Sequence, residues 1–247
     1  MTTRTITLET RGPIARITLR RETVDATLLS ELAEVCESLE ADEGVRAVLL
    51  TGEGDAFCSG WDASLLQREG PPAIDPFGCL AALPRPVVCA INGDALSAGL
   101  EMALACDVRV AAEGGKLGLP ETAMGMLPMG GGTQRLSRLV GRGKTLEMIL
   151  SGEPVDAAEA LAMGLVGVVA ARGKVVAEAE AIAGRIAERG PLAVRYAKEA
   201  VSRGLEMTLE QALRYETDLT VILQTTEDRA EGVRAFLEKR NPEFKGR

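Results

Sequence analysis

Two hydrophobic periods alternate along the first half of the chain. Apolar residues recur at every second position in residues 5–9 and 14–19, which predicts two strands that form a hairpin. In residues 28–39 they recur at intervals of three and four, which is typical of an amphipathic helix. Strands that alternate with helices predict an α/β fold. Further strands are predicted at 45–51, 86–91 and 108–112, and a further helix at 99–105.

In the last third of the chain the apolar period changes to 3.6 residues and keeps that value. Pro191 is typical of the first turn of a helix, and Thr208 followed by Gln211 forms a capping-box pattern at the start of a long helix. Such a run of amphipathic helices after a mixed core suggests an appended helical region. We therefore predict a core over residues 1–190 and a helical region over residues 191–247 that packs against a partner subunit.

Composition excludes several classes of function. The chain has 247 residues, with 28 Lys and Arg against 36 Asp and Glu, so its net charge is −8. This charge argues against general binding to nucleic acid or anionic lipid. The chain has no histidine, which excludes Ser-His-Asp and Cys-His catalysis, zinc sites built on imidazole, and histidine as a general base. Proton transfer must then use carboxylates, lysine, tyrosine or cysteine.

The five cysteines are widely spaced and include no CxxC pair. This pattern predicts reduced thiols rather than a disulfide framework, and so a cytoplasmic protein. The longest uncharged stretch, residues 122–134, is interrupted by glycine and proline, and the N-terminal segment alternates polar with apolar residues. We predict neither a signal peptide nor a membrane span.

Three familiar motifs are incomplete. Residues 141–145 end like a phosphate-binding loop, but Arg138 stands where that motif needs a glycine. Residues 95–99 resemble a nucleophile elbow around Ser97, but the first position is Ala95 and the chain has no histidine to activate the serine. No complete GxGxxG is present, so the usual dinucleotide fingerprint is absent.

Two segments, residues 56–62 and 92–101, place small residues ahead of a turn or helix. Glycine-rich entry to a helix leaves backbone N–H groups free to stabilise a developing oxyanion. Glu101 would lie in the first turn of a helix that starts near residue 98, and Glu121 lies 20 residues further on in an apolar setting. Two carboxylates near one oxyanion hole can divide the acid and base roles without histidine.

Each of these residues also has an ordinary structural interpretation. Glu101 can be a common helix N-terminal carboxylate, and Glu121 can be a solvated loop charge. Trp61 can belong to the core, and Met129 can fill a gap between other side chains. Spacing alone leaves both interpretations open.

These segments resemble the crotonase superfamily, which is the enoyl-CoA hydratase and isomerase family. The resemblance covers nearly the whole chain, and many segments carry it in the same order. They are residues 45–52, 56–62, 84–87, 92–101, 105–107, 118–121, 128–136, 160–166 and 231–240.

The resemblance implies a crotonase-type spiral of ββα turns, followed by a helical C-terminal region that forms a homotrimer or a hexamer of two trimers. It implies acyl-CoA thioesters as substrates. No metal is implied, and coenzyme A enters only as part of the substrate, with no further cofactor. The backbone N–H groups of Trp61 and Ala98 match the family's oxyanion hole. Glu101 and Glu121 match the two glutamates that flank the bound water in hydratases.

The resemblance also assigns residues to substrate binding. Phe236 and Lys239, in the tail, would reach the CoA site of a neighbouring subunit. The chain departs from the family's usual residues at Trp61, Ala98 and Met129, and these departures can reshape the acyl pocket without removing a backbone donor. The remaining residues assigned to substrate binding are Ala26, Ser59, Gly60, Asp62, Leu96, Gly99, Met129 and Gly130.

Because both glutamates are present, the resemblance favours hydration of a trans-2-enoyl-CoA to a 3-hydroxyacyl-CoA, a reaction of fatty acid metabolism. One alternative is a Δ3,Δ2-enoyl-CoA isomerase that uses chiefly Glu121, or another acyl-CoA-transforming crotonase. A less favoured alternative is a non-catalytic RNA-binding relative. The acyl chain length stays open, as does the assignment of the acid and base roles.

Coenzyme A brings phosphates to an acidic protein, so basic side chains should gather locally. Two clusters free of interspersed acids are candidates, although solvated faces are the commoner role of such clusters. They comprise Arg20 with Arg21, and Arg135 with Arg138, Arg142 and Lys144.

Overall fold

The computed structural model describes residues 5–70 and 72–247, in which strands and helices alternate before a last stretch of helices alone. The strands are β1 (Ile6–Arg11), β2 (Ile14–Leu19), β3 (Thr23–Val24), β4 (Ala47–Gly52), β5 (Gly60–Trp61), β6 (Val87–Ile91), β7 (Ala95–Leu96), β8 (Val108–Ala112), β9 (Lys116–Gly118), β10 (Val155–Asp156) and β11 (Val168–Ala170). The α-helices are α1 (Ala26–Ala41), α2 (Ala63–Leu66), α3 (Gly78–Ala82), α4 (Ala98–Leu104), α5 (Gly132–Ser151), α6 (Ala157–Ala162), α7 (Val175–Ala187), α8 (Pro191–Gly204), α9 (Leu209–Gln224) and α10 (Glu227–Glu238). Two 3-10 helices span Pro120–Met124 and Arg172–Lys174.

The largest sheet has six strands in the order β1-β2-β4-β6-β8-β11. β1 and β2 form the predicted antiparallel hairpin, and each later pair of neighbours is parallel. The strands and helices predicted in the first half of the chain are present as β4, β6, β8, α1 and α4. The predicted α/β class is therefore confirmed.

Strand β4 shows that the sheet is covered on both faces. Ala47 and Leu49 pack in one buried cluster with α7, whereas Val48 and Leu50 pack in a second cluster on the opposite face. This division follows from the alternation of side chains along a strand. Every residue of β4 and of β6 is buried, as expected for parallel strands between two helical layers.

The shorter strands form a second layer that positions the segments of interest. β3 pairs with β5 in parallel, and β7 pairs with β9, which also pairs with β10. A single bridge between Cys58 and Ala95 connects the chain ahead of β5 to β7. The two glycine-containing segments singled out in the sequence, 56–62 and 92–101, are thereby brought side by side.

Asn92 holds the loop that leads into β5. Its Nδ2 lies 3.1 Å from the Gly52 carbonyl oxygen, 2.7 Å from that of Gly54 and 2.9 Å from that of Ala56. Its Oδ1 accepts from the Gly52 N–H at 3.0 Å. The buried amide thus replaces the sheet hydrogen bonds that the turning backbone would otherwise lack.

The last three helices differ from the rest of the fold. The predicted capping box at Thr208 and Gln211 is confirmed at the start of α9. α8 has no buried residue, and Leu205 and Leu209 are each more than 70% exposed, at 74% and 76%. α7, by contrast, packs on the large sheet. The division at residue 190 and the partner subunit stay predictions.

The C-terminal tail returns to the core. The Asp228 carboxylate accepts from the N–H groups of Lys245, at 2.6 Å, and Gly246, at 2.8 Å. Arg46, next to the start of β4, donates to the Phe244 carbonyl at 2.8 Å. These bonds fix the last residues of the chain against the sheet.

All five cysteines are free thiols, as predicted, and four of them are buried. Among the helices that the structure describes, none has the length and apolar character needed to cross a lipid bilayer.

Candidate active site

Glu101 lies in the first turn of α4, as predicted, and its side chain is fully buried. Oε1 accepts hydrogen bonds from the backbone N–H groups of Gly130, at 2.7 Å, and Gly132, at 2.9 Å. Oε2 is buried and has no hydrogen-bond partner among the described residues. One oxygen therefore fixes the carboxyl group, and the other is free to act on a bound molecule.

Burial raises the pKa of Glu101 from 4.5 to about 7. The two N–H donors act against this rise because they stabilise the carboxylate, whereas the charge of Glu121 adds to it. The Trp61 indole favours the ionised form slightly, although its Nε1 makes no hydrogen bond within the described chain. A carboxyl group with a pKa near 7 is suited to general acid or base catalysis at neutral pH.

Glu121 lies in the 3-10 helix Pro120–Met124 and is only 1% exposed. Both of its side-chain oxygens are buried, and neither has a hydrogen-bond partner in the described part of the chain. The interpretation of Glu121 as a solvated loop charge is therefore wrong. Since a buried acceptor without a partner is costly, a bound molecule is expected to complete this site.

Two backbone segments meet close to the carboxyl groups. A Cβ added to Gly60, whose φ is 135°, would lie 3.0 Å from the Cβ of Ser97. Ser97, with a φ of 51°, precedes Ala98, the first residue of α4, whose N–H has no acceptor inside the helix. Trp61 follows Gly60, so the two residues of the predicted oxyanion hole lie close together. Their binding to a thioester oxygen stays a prediction.

Residues on either side of β5 are fixed by the pairing with β3. The Ser59 N–H and Oγ both donate to the Glu22 carbonyl, at 2.6 Å and 2.9 Å. The Asp62 N–H donates to the Val24 carbonyl at 2.9 Å, and its side chain caps α2. Ala26 opens α1 two residues after Val24. The structure thus brings Ala26, Ser59 and Asp62 to one edge of the site, and their contact with substrate stays a prediction.

Leu96 and Gly99 pack the second segment against the first. The Leu96 N–H donates to the Cys58 carbonyl at 3.0 Å. A Cβ on Gly99 would lie 2.2 Å from the same carbonyl oxygen, so only glycine fits there. Both residues therefore have a demonstrable packing role, and their predicted contact with substrate is an additional proposal.

An apolar cavity of about 140 Å³ opens beside Trp61. The indole stacks on Phe77 with ring centroids 5.6 Å apart. Met129 also lines the cavity and directly precedes Gly130, which holds Glu101. The cavity therefore lies near Glu101 and is the candidate acyl site. Its other lining residues include Leu65, Leu66, Arg68 and Met126.

Arg135 supports the turn that holds Glu101. Its Nη1 donates to the Gly130 carbonyl at 3.2 Å, and its Nη2 pairs with Asp75 at 2.7 Å. The guanidinium therefore ties the turn at Gly130 to the loop ahead of α3. This role differs from the CoA-phosphate contact for which Arg135 was a candidate.

The other basic candidates are mostly engaged in ion pairs, which favours the solvated-face interpretation. The pairs are Arg20 with Glu53 at 3.6 Å, Arg21 with Asp25 at 2.6 Å, Arg138 with Glu206 at 3.5 Å, and Lys144 with Glu147 at 3.0 Å.

Phe236 and Lys239 lie at the end of α10, away from the residues gathered around α4. Phe236 is 82% exposed, and Lys239 ends the helix with a φ of 55°. Their assignment to the CoA site of a neighbouring subunit stays a prediction.

Sequence reasoning did not assign roles to Phe77, Asn92 or Gly132, and it did not predict that Arg135 supports the turn at Gly130. The run of three glycines at 130–132 ahead of a helix was a usable signal, because such a segment presents backbone N–H groups. Phe77 carries no comparable signal, since its stacking on Trp61 depends on tertiary packing. Within the described residues, no group of three or more acidic or thiol side chains is arranged to bind a metal ion.

Comparison with known sequences points to one family. A sequence profile described as enoyl-CoA hydratase/isomerase matches residues 9–247. YngF of Bacillus subtilis (strain 168) is 43% identical over 94% of this chain and 95% of its own length. The short-chain-enoyl-CoA hydratase of Clostridium acetobutylicum is 36% identical over 98% of both chains.

Solved structures support the same relationship. An enoyl-CoA hydratase from Bacillus anthracis has a TM-score of 0.92 and 38% identity, covering 98% of this chain and 100% of its own. Pseudomonas aeruginosa DspI has a TM-score of 0.93 and 37% identity, covering 98% and 97%. The crotonase-type fold, with its helical C-terminal region, is therefore confirmed. On sequence and structure alike, the chain belongs to the enoyl-CoA hydratase/isomerase family.

Proposed function

We propose that the protein is an enoyl-CoA hydratase that adds water to a trans-2-enoyl-CoA and forms a 3-hydroxyacyl-CoA. The observation that carries this proposal is the pair of buried glutamates, which together present three oxygens without a partner in the described chain. A water molecule held between Glu101 and Glu121 would satisfy these acceptors. Two carboxyl groups around one water are what hydration requires, whereas isomerisation needs only one.

The reaction divides into linked steps. The Trp61 and Ala98 N–H groups polarise the thioester carbonyl, which makes C3 electrophilic. The water oxygen bonds to C3 while Glu101 takes one of its protons, and the electron pair of the double bond moves onto the thioester oxygen. The resulting enolate takes a proton at C2 from Glu121. Proton transfer between the two carboxyl groups, through the next water, restores the starting state.

The fixed position of Glu101 supports its assignment as the base. Oε1 is occupied by two N–H donors, so Oε2 alone can act, and its direction is set. The N–H donors also stabilise the carboxylate form that a base must adopt. Glu121 has no such donor among the described residues and takes the acid role. The mechanism uses no metal and no cofactor beyond the CoA of the substrate.

The test is turnover of trans-2-butenoyl-CoA, followed by loss of the conjugated thioester absorbance. Glu101→Gln and Glu121→Gln should each lower kcat by about 10²- to 10⁴-fold and retain binding of a saturated acyl-CoA. Glu188→Gln, at the exposed end of α7, is the matched control and should keep full activity. Wild-type rates in both site variants would refute the mechanism. Consumption of a 3-enoyl-CoA without hydration would identify an isomerase instead.

We also propose that the protein acts as a homotrimer or hexamer in the cytoplasm. The exposed apolar side chains of α8 and α9, such as Val201 and Leu209, support this assembly because water-exposed apolar faces of this kind commonly pack against another subunit. Light scattering that shows a fully active monomer would contradict it.

A further inference from the structure

The candidate acyl cavity has one charged residue in an otherwise uncharged wall. Leu65, Leu66, Met126 and Met129 supply apolar surface around Trp61. Arg68 is the only charged residue among the lining residues that the structure describes. Arg68 is also exposed to solvent, so its guanidinium is accessible to a molecule that enters the cavity.

Arg68 also lacks the partners that Arg135 and Arg85 have. Arg135 pairs with Asp75, and Arg85 donates to three backbone carbonyls. The Arg68 side chain makes no ion pair or hydrogen bond with any described residue, including Glu69 beside it in the chain. Its donors are therefore available to a bound molecule, and a guanidinium binds a carboxylate through two parallel hydrogen bonds.

The cavity is partly open to solvent, and its volume accommodates a short acyl chain. Its volume is about 140 Å³, and an apolar protein cavity of about 150 Å³ holds a molecule the size of benzene. About six non-hydrogen atoms beyond the thioester carbon therefore fit. A five-carbon acyl chain that ends in a carboxylate has this number.

Resting on the proposed function, we infer that the substrate is a short 2-enoyl-CoA whose acyl chain ends in a carboxylate, and that Arg68 binds this carboxylate. Leu65, Leu66 and Met129 contact the middle of the chain. The carboxylate end reaches the guanidinium while the double bond lies at the glutamate pair. Arg68 thus acts as a specificity residue and takes no part in the proton transfers.

The kinetic test compares two substrates of equal chain length, trans-2-pentenedioyl-CoA and trans-2-pentenoyl-CoA, which differ in the terminal carboxylate or methyl group. The wild type should show the higher kcat/KM with the dicarboxylic substrate. Arg68→Gln should lower that value by about tenfold and change the value for the neutral substrate less than twofold. Arg172→Gln, an exposed arginine outside the cavity, is the matched control and should change neither.

A loss of equal size with both substrates would place Arg68 at the CoA phosphates and overturn the inference. A wild type that prefers the neutral substrate would overturn it as well.

A binding test separates this inference from the proposed function. Calorimetry with the saturated analogues glutaryl-CoA and pentanoyl-CoA needs no turnover. The wild type should bind glutaryl-CoA more tightly, and Arg68→Gln should remove the difference. If these binding differences are found but neither enoyl-CoA is hydrated, the hydratase proposal is refuted and the ligand assignment is retained. Equal binding of the two analogues by the wild type would refute the ligand assignment, even in an active hydratase.

Discussion

Glu101 and Glu121 are both buried, yet their surroundings are different. Glu101 has one oxygen held by two backbone N–H groups, and burial raises the pKa of its carboxyl group to about 7. Glu121 has both oxygens without a partner among the described residues. The difference teaches that burial alone does not define a site. One carboxyl group is oriented by the fold, and the other depends on what binds.

Among variants that keep both glutamates, the largest expected effect comes from moving Glu101 without removing it. A Cβ at Gly132 would lie 3.0 Å from Glu101 Oε1 and 2.9 Å from Leu119 Cδ1. Gly132→Ala should therefore displace the carboxyl group and lower kcat by about 100-fold, since a shift of 1 Å can have that effect. Gly143→Ala, in the same helix with nothing within 4 Å of the added Cβ, should keep full activity.

Equal activity in the two alanine variants would show that the position of Glu101 is unimportant. A loss of activity in both variants would indicate a general disturbance of α5 rather than a displaced Glu101 carboxyl group.

The second expected effect concerns stability. Glu101→Met leaves two buried N–H groups without their acceptor, whereas Glu121→Met removes a group that had no partner in the described chain. Each unpaired buried group costs about 1–3 kcal/mol. The free energy of unfolding of Glu121→Met should therefore be about 2–6 kcal/mol higher than that of Glu101→Met. Urea unfolding at pH 5 and fixed protein concentration measures this difference.

At pH 5 the solution is below the pKa of Glu101, so its carboxyl group is largely uncharged in the folded wild type. Glu101 then contributes its hydrogen bonds rather than a buried charge to the comparison. Equal stability of the two methionine variants would contradict the difference drawn between the glutamates.

The smallest expected effect, taken per pH unit, is a pH dependence. The base must be ionised, and the pKa of Glu101 is raised to about 7, so kcat/KM should rise about tenfold per pH unit below pH 7 and then level off. The direction of this pH dependence follows from the role of Glu101 as a general base. A general acid with the same pKa would lose activity as the pH rises through 7. A flat profile between pH 5 and pH 8 would refute the assignment of Glu101 as the base.

Local patterns predicted much of the fold. The hairpin, the buried strands and α4 follow from periods of two and 3.6 residues, and Pro191 and Thr208 mark helix starts by their own chemistry. The place of Glu101 in the first turn of α4 follows from where that helix begins. These features depend on neighbours in the chain, and the sequence displays such neighbours directly.

The remainder of the site depends on contacts between distant segments. Glu121 is buried because its 3-10 helix packs against α5, and no local pattern distinguishes it from a solvated loop glutamate. The N–H groups of Gly130 and Gly132 converge on Glu101 through backbone directions that the residue types leave free. Sequence analysis could therefore name the two glutamates but could not distinguish their surroundings.

The contact between Gly60 and Ser97 has a consequence for how this protein can diversify. The donors beside it belong to the main chain, so no side-chain replacement at Trp61 or Ala98 can delete them, apart from proline. The cavity wall is made of side chains, and single mutations can alter it freely. A gene under selection for a new acyl group can therefore explore the wall while the proposed carbonyl-binding geometry is inherited unchanged. Directed evolution of substrate range should begin with libraries at Leu65, Leu66 and Met126.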